Sequence, residues 1–353
     1  MTSGLILGKF LPPHAGHLHL VRTALDEVDH LTVLVCSLAS EPIPGQLRAS
    51  WMRELVPGAA VIQITDENPS FPHEHPDFWN IWMQSIRRVL PEGPDLVYTS
   101  EHYGDELARR LNARHRMIDP ARRKFPVSGS LVRSDPDRYW EFIPPPVRPS
   151  FVAKVVLTGS ESTGKTTLAQ RLAAHFRTSW IPEYGRRYVE EHPGPLAASD
   201  IDPIARGQMA SEEQGFREAT RAVVMLDTDL VSTEVYAEHY FGSCPDWVRE
   251  AARDRLGHLY LLTEPDVPWV PDPGQRDRAD RRDEMDRLFG SALTAQRAAV
   301  VRIRGAWDHR FATAVSAVER VVSQGWPYRL PGGRGVIHSG TAPGSPGGSS
   351  CRQ

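Results

Sequence analysis

The stretch Gly159-Ser160-Glu161-Ser162-Thr163-Gly164-Lys165-Thr166 matches G-x-x-x-x-G-K-[ST], the pattern of a loop that binds nucleotide phosphates. An apolar, strand-like run at 154–158 precedes it, and a helical pattern at 167–176, starting with Thr167, follows it. In that context the loop and Thr167 bind ATP, Lys165 reaches the β- and γ-phosphates, and the Thr166 hydroxyl holds Mg²⁺. A plain turn between strand and helix is the alternative. The match predicts a nucleoside-triphosphate site that begins in mid-chain.

Length and composition limit the class of protein. The chain has 353 residues, of which 40% are hydrophobic, enough for two domains with separate cores. Its net charge of −3 creates no field for a polyanion, so we expect no nucleic-acid partner. Three widely spaced cysteines favour a reducing compartment, and no stretch has the length of a membrane span. We expect a cytoplasmic protein without membrane insertion, and a homo-oligomer.

Strands and helices alternate along both halves. Apolar strands are predicted at 5–7, 31–35, 61–64, 96–99, 154–158, 179–181, 223–226, 259–262 and 299–303. Because these strands are apolar throughout, they favour parallel sheets covered on both faces. The fold class is therefore α/β, with two doubly wound parallel-sheet domains. A proline-rich passage at 143–149 separates them, which gives domains at 1–147 and 151–329 and a Gly/Pro/Ser-rich disordered tail at 331–353.

A second motif lies at the start of the chain. Gly8 and Lys9 follow the first strand, and His14-Ala15-Gly16-His17 opens the first helix. Two histidines three residues apart share one helix face, and the helix N-terminus attracts phosphate. A pair of surface histidines in a polar loop is the alternative. The motif resembles the His-x-Gly-His signature of the Rossmann-like nucleotidyltransferase superfamily, whose histidines contact ATP phosphates.

That superfamily carries a second signature, a serine-containing turn that ends in arginine at a helix start. Residues 127–133 fit it. Ser128 and Ser130 can cap the helix, and Arg133 can bind phosphate through two parallel hydrogen bonds. A capping role alone is the alternative. The resemblance implies that His14, His17, Lys9 and Arg133 are catalytic and that Gly8 and Ser128 bind ATP.

Residues 43–48, followed by Trp51, and the aromatic helix that carries Trp79 and Trp82 are similar to the nicotinamide-nucleotide adenylyltransferase branch. In that branch an arginine of the helix that follows residue 44 meets phosphate, and a tryptophan stacks on the nicotinamide ring. The matching residues are Arg48 and Trp82. An indole face suits an electron-poor pyridinium ring. Packing in the core is the alternative role for Trp82.

The resemblance then extends over residues 4–328 to the NadR-type bifunctional family, through 139–149, 159–165 and 182–186. Members join an adenylyltransferase to a ribosylnicotinamide kinase, and some carry an N-terminal helix-turn-helix that represses transcription. This sequence begins at the first transferase strand, so we expect no such module and no DNA binding.

Several residues complete the predicted kinase site. The apolar strand at 223–226 ends in Asp227, which has the position of a Walker B carboxylate that holds Mg²⁺. Asp229 is expected to assist the metal or contact the sugar. Glu183 is expected to accept the proton of the attacking hydroxyl or bind the sugar, with a structural salt bridge as the alternative, and Tyr184 and Arg186 to bind substrate. The lid of a P-loop kinase is expected at 272–282, with Arg276 and Arg278 on ATP; a solvated helix of mixed charge is the alternative.

The resemblance implies two ATP-dependent reactions on consecutive metabolites. The kinase would convert ribosylnicotinamide to NMN, and the transferase would convert NMN and ATP to NAD and pyrophosphate. The partners are then ATP, ribosylnicotinamide, NMN and NAD, with Mg²⁺ as cofactor. Three alternatives stay open: a kinase with a vestigial transferase half, a fusion enzyme of coenzyme A synthesis, and a nucleotide-sensing regulator.

Overall fold

The computed structural model describes residues 1–270 and 281–323. The predicted tail at 331–353 lies outside these ranges, as do Arg276 and Arg278 of the expected lid. Among the described residues, no helix combines the length and the apolarity that crossing a bilayer requires.

The first half contains five strands and five α-helices within the described residues. The strands are β1 (Ser3–Gly8), β2 (His30–Cys36), β3 (Ala60–Ile64), β4 (Leu96–Thr99) and β5 (Arg114–Met117). The helices are α1 (Ala15–Leu25), α2 (Gly45–Leu55), α3 (Phe78–Val89), α4 (Tyr103–Leu111) and α5 (Gly129–Ser134).

The described part of the second half contains five more strands and seven α-helices. The strands are β6 (Ala153–Thr158), β7 (Trp180–Ile181), β8 (Val223–Asp227), β9 (Leu259–Thr263) and β10 (Val300–Ile303). The helices are α6 (Lys165–Phe176), α7 (Tyr184–Glu191), α8 (Ile201–Glu218), α9 (Leu230–Phe241), α10 (Asp246–Asp254), α11 (Arg282–Ala295) and α12 (Trp307–Ser323).

Each half builds one parallel sheet with helices on both faces. The first sheet has the order β3-β2-β1-β4-β5, and the second has the order β10-β9-β6-β8-β7. In both sheets, the first strand of the half is central and pairs with a parallel strand on each side. The order in which strands are added across the sheet therefore changes direction at this strand. A crevice opens at such a point beyond the carboxyl ends of the strands. The α/β fold class predicted from the sequence is confirmed, and the motif loops after β1 and β6 both lie at these crevices.

The two halves share a hydrophobic core. One cluster of buried side chains joins Trp51 of α2 to Ile181 and Phe216 of the second half through Val147 and Phe151 of the connecting segment. These side chains are at most 5% exposed, so the prolines at 144–146 lie beside a packed interior rather than in an open linker. The domain boundaries at 147 and 151 remain a prediction.

Polar contacts reinforce this shared core. The indole Nε1 of Trp140 donates a hydrogen bond of 2.7 Å to the carbonyl of Ala219, and the Arg148 guanidinium lies 5.6 Å from the centre of the indole ring. Arg221 forms an ion pair with Asp137. Because the Trp140 side chain is buried, its indole N–H needs this carbonyl partner.

Candidate active sites

The first candidate site lies at the carboxyl end of β1. His14 is the N-cap residue of α1, and its imidazole stacks on that of His17 with ring centres 3.7 Å apart and 27° between the planes. Their Nδ1 atoms are buried and have no hydrogen-bond partner among the described residues. Two aimed imidazoles with unused ring nitrogens at a helix N-terminus are suited to hydrogen-bond an anion.

Burial keeps both imidazoles neutral. It lowers the pKa of His14 to about 3, and the nearby Arg122 charge acts in the same direction. Burial also lowers the pKa of His17 well below its usual value, with His14 and Arg122 adding to the effect. At neutral pH the pair therefore offers N–H donors rather than positive charge, which must come from neighbouring cations.

Two cations belong to this end of the sheet: Lys9 directly follows β1, and the charge of Arg122 acts on both histidines. Lys9 forms an ion pair of 2.9 Å with Glu41 and donates to the Ser70 hydroxyl at 2.9 Å. Arg122, on the loop between β5 and α5, has a positive φ of 51° and forms an ion pair of 3.2 Å with Glu101 beyond β4. Arg122 is not among the site residues predicted from the sequence. The basic run Arg122-Arg123-Lys124, just before the second signature, was the signal that could have identified it.

The second signature lies against the first. Ser128 caps α5 by accepting a hydrogen bond of 3.2 Å from the Leu131 N–H, and Arg133 donates to the carbonyl of Leu11 in the β1–α1 loop. A Cβ atom at Gly129 would come within 2.3 Å of that same carbonyl, so this contact requires glycine. Gly8, at the end of β1, lies on the aromatic ring of Phe10. The structure thus brings together both predicted transferase motifs.

The contacts of Arg48 and Trp82 in the structure are structural, whereas the sequence predicted that both bind substrate. Arg48 is fully buried, and its guanidinium bonds to Glu41 and to the carbonyls of Lys9 and Cys36. It therefore braces the loop that carries Lys9, and its contact with phosphate stays a prediction. The Trp82 indole is part-buried and donates at 2.9 Å to the Pro69 carbonyl, which fits either a stacking or a packing role.

The second candidate site is a cavity of about 780 Å³ around the loop at 159–166. Gly159 and Gly164 have φ values of +134° and +83°, which residues with a side chain rarely adopt. The Lys165 ammonium donates to the carbonyls of Gly159 and Ser160 at 3.1 and 2.9 Å. The Ser160 hydroxyl is buried and has no hydrogen-bond partner within residues 1–270 and 281–323. Glu161, Ser162, Thr163, Thr166 and Thr167 also line the cavity. The loop has the geometry of a phosphate cradle.

The residues predicted to hold Mg²⁺ lie in contact. The Thr166 hydroxyl donates to Asp227 Oδ2 at 2.5 Å, and Asp227 Oδ1 is buried with no partner in the part of the chain that the structure describes. Burial raises the pKa of Asp227, while the Lys165 charge opposes this rise. Mg²⁺ prefers oxygen ligands and completes its shell with water and substrate phosphates. An orphaned carboxylate oxygen beside a hydroxyl fits that ion.

Glu183 faces the same cavity. Burial raises its pKa, and the charges of Asp227 and Glu161 act in the same direction, whereas Lys165 and Arg186 oppose them. A carboxylate with a raised pKa is a better proton acceptor near neutral pH. Arg186 lines the cavity too, but Tyr184 does not: its ring packs against Gly207 of α8.

Asp229 does not line the cavity, although its neighbour Thr228 does. One carboxylate oxygen accepts the N–H groups of Val231 and Ser232 at the start of α9, and the other accepts the Tyr260 hydroxyl at 2.6 Å. Burial raises the pKa of Asp229 to about 7. Both oxygens thus accept hydrogen bonds, one of them as the N-cap of α9, and the expected sugar or metal contact of Asp229 stays a prediction.

One arginine from the expected lid region reaches the phosphate loop. The side chain of Arg282 is buried and donates to the carbonyls of Val267 and Ser162, at 2.9 and 3.3 Å. It ties the start of α11 to the loop, a contact that the mixed-charge sequence around it did not reveal.

Fold and sites together define a class of protein, an α/β enzyme that joins a His-x-Gly-His nucleotidyltransferase to a P-loop kinase. A family model described as "AAA domain" matches residues 154–310. The "Trifunctional NAD biosynthesis/regulator protein NadR" of Escherichia coli (strain K12) is 31% identical over 92% of this chain and 84% of its own length. The chain belongs to the NadR family of NAD biosynthesis proteins.

Other comparisons agree. A "Nicotinamide-nucleotide adenylyltransferase" of Pyrobaculum neutrophilum is 29% identical over 41% of this chain and 84% of its own. Two solved NadR structures, one in complex with NR and one with NAD and AMP-PNP, align with TM-scores of 0.76 and 0.75. Both are 23% identical and cover 91% of this chain and 96% of theirs, which supports the fold over that share of the chain.

Proposed function

We propose that this chain makes NAD from ribosylnicotinamide in two steps, each at its own site. The kinase half transfers the γ-phosphoryl group of ATP to the 5′-hydroxyl of ribosylnicotinamide and gives NMN. The transferase half joins NMN to the α-phosphorus of a second ATP and gives NAD and pyrophosphate. Membership of the NadR family supports both activities. One observation supports the assignment of residues: in each half, the predicted motifs lie together at one crevice. In the kinase half, the phosphate loop, Asp227 and Glu183 lie around one cavity.

In the kinase half, Glu183 accepts the proton of the 5′-hydroxyl as its oxygen attacks the γ-phosphorus. The bond to the β-phosphate oxygen breaks, and ADP leaves. When ATP binds, Lys165 turns from the loop carbonyls to the phosphate oxygens, where its charge offsets the negative charge that develops during the transfer. Thr166 and Asp227 are the residues that would hold Mg²⁺, which supplies further charge neutralisation when bound.

In the transferase half, the phosphate of NMN attacks the α-phosphorus of ATP, and pyrophosphate leaves. Neutral His14 and His17 donate hydrogen bonds to phosphate oxygens, while Lys9 and Arg133 supply positive charge. No covalent enzyme intermediate is needed, because positioning and electrostatic stabilisation lower the barrier. The donors are held in place by the helix start and by the contact between α5 and the β1–α1 loop.

Chromatography of reaction products tests this assignment. Purified protein is incubated with ATP, Mg²⁺ and ribosylnicotinamide. The Lys165→Ala variant should form no NMN from ribosylnicotinamide yet convert added NMN to NAD. The His17→Ala variant should accumulate NMN without NAD. Failure of the intact protein to phosphorylate ribosylnicotinamide would refute the kinase assignment.

Two control variants test whether any substitution on these helices disrupts the protein. Arg171→Ala removes a positive charge from the exposed side of α6, the helix that Lys165 begins. His19→Ala removes a histidine from α1 whose ring lies against Phe125 rather than His14. Both should keep both products. Loss of either product in these controls would mean that substitution on the helix, and not the named residue, stops the reaction.

The proposal also includes a homo-oligomer located in the cytoplasm, with small molecules and no nucleic acid as partners. Light scattering after size-exclusion chromatography tests the first of these. A monomeric mass would contradict it.

A further inference from the structure

An aromatic side chain that none of the predicted motifs includes lies at the mouth of the kinase cavity. Trp307 is the first residue of α12 and lines the cavity, yet it is 43% exposed, unusual for so large an apolar group. Its ring lies against Gly164 of the phosphate loop, where a Cβ atom would come within 2.2 Å of it. An indole is therefore presented beside the phosphate cradle.

The indole is attached to a rigid support. Arg310, one turn further along α12, is fully buried and donates to the carbonyls of Thr163 and Gly305 at 3.1 and 2.9 Å. It also forms an ion pair with Asp266, and its guanidinium lies 5.5 Å from the centre of the Trp307 ring. These bonds fix the start of α12 to the phosphate loop. A ring held in this way loses little conformational entropy when a ligand binds it.

The sheet order divides the cavity into two sides. The phosphate loop follows the central strand β6. On one side, β8 and β7 lead into Asp227 and Glu183, which the proposed reaction assigns to the metal and to the attacking hydroxyl. On the other side, β9 and β10 lead towards Trp307. The acceptor therefore lies on the β7 side, and the rest of the donor nucleotide extends towards β10.

We propose that Trp307 is the platform on which the purine base of the phosphoryl donor stacks. This inference rests on the proposed function, in which ATP is that donor. Stacking of a base on an aromatic side chain is sensitive to truncation of that side chain and tolerant of the identity of the base. Trp307 thus supplies affinity for the nucleoside part of ATP, while the loop at 159–166 supplies affinity for its phosphates.

Steady-state formation of NMN tests the proposal, in protein that also carries His17→Ala so that NMN is not consumed. Trp307→Ala should raise KM for ATP about tenfold and leave both kcat and KM for ribosylnicotinamide within twofold. Trp307→Phe should restore most of the affinity for ATP. Trp247→Ala is the matched control, because Trp247 also lies under an arginine, Arg206, but outside the cavity. It should leave both KM values unchanged.

Two results would overturn the proposal. A KM for ATP within twofold of the parent would show that no base stacks on Trp307. A raised KM for ribosylnicotinamide, with KM for ATP unchanged, would assign the ring to the acceptor instead.

Calorimetry separates this inference from the proposed function, because it needs no acceptor. Trp307→Ala should weaken binding of ADP about tenfold and leave binding of inorganic tripolyphosphate unchanged, even if ribosylnicotinamide proves not to be the substrate. The transferase site is the same in parent and variant, so the difference belongs to the kinase site. Equal weakening of both ligands would indicate a damaged phosphate loop and would count against a base platform.

Discussion

The stacked histidines at the start of α1 should make the protein less stable as the pH falls. In the folded protein the pKa of His14 is about 3, against 6.5 for an unperturbed histidine. Below pH 6.5 the unfolded chain binds a proton that the folded protein does not, which favours unfolding. The contribution of a neutral, buried His14 to the free energy of unfolding is therefore fully present above pH 6.5, and it is lost progressively as the pH falls towards 3.

The size of the effect follows from the pKa difference. Each pH unit below 6.5 costs about 1.4 kcal/mol until the folded protein is protonated too. At pH 5 the penalty from His14 is therefore about 2 kcal/mol. His14→Asn removes this titration, so between pH 7 and pH 5 the variant should lose about 2 kcal/mol less stability than the parent. Loss of His14 also relieves His17, which enlarges the difference.

Urea denaturation of parent and variant at pH 7 and pH 5 measures this double difference. Titrations outside the His14/His17 pair contribute equally to both proteins and cancel. His19→Asn, on the same helix, is the control and should lose as much stability as the parent. Equal losses in the parent and in His14→Asn would refute the inference that His14 is held neutral by burial.

Three further predictions follow from the sites. Arg122→Ala should raise the transferase KM for ATP about tenfold, as expected for one lost charged contact, in an assay that starts from NMN; Arg123→Ala should not. Asp227→Asn should lower the rate of NMN formation at least about 100-fold at saturating ATP and Mg²⁺, with NAD formation from NMN unchanged. Trp140→Ala should lower the free energy of unfolding by about 3–5 kcal/mol, measured by urea denaturation, and a loss under 1 kcal/mol would contradict the shared core.

Much of the fold could be predicted because buried parallel strands are apolar throughout. The predicted ends of β4, at residues 96 and 99, coincide with the observed ones. In contrast, β5 was missed, since its sequence Arg-His-Arg-Met is polar and lies at the sheet edge. Tertiary contacts define this strand: His115 bonds to Thr99 at 2.8 Å, and Arg116 pairs with Glu27 at 2.7 Å.

The candidate sites could be predicted where one short segment carries the chemistry. The phosphate loop and the His14/His17 pair are of this kind, because local backbone geometry places their groups. The positions of the other site residues depend on contacts between residues that are distant in sequence. Asp229 looked available until Tyr260, 31 residues away, proved to take one of its oxygens. Trp307 gave no signal, since it lies 143 positions after Gly164, which it touches.

The core that joins Trp51 and Val147 to Phe216 has a consequence for the relative amounts of the two enzyme activities. Splitting the chain at the prolines would expose an apolar face on each fragment. We therefore expect neither half to be stable and soluble when it is expressed alone. The kinase and the transferase are then always present in equal numbers. Changing the expression of this chain alone therefore cannot raise its kinase activity relative to its transferase activity. The balance between intermediate and product must be set by the occupancy and turnover of the two sites.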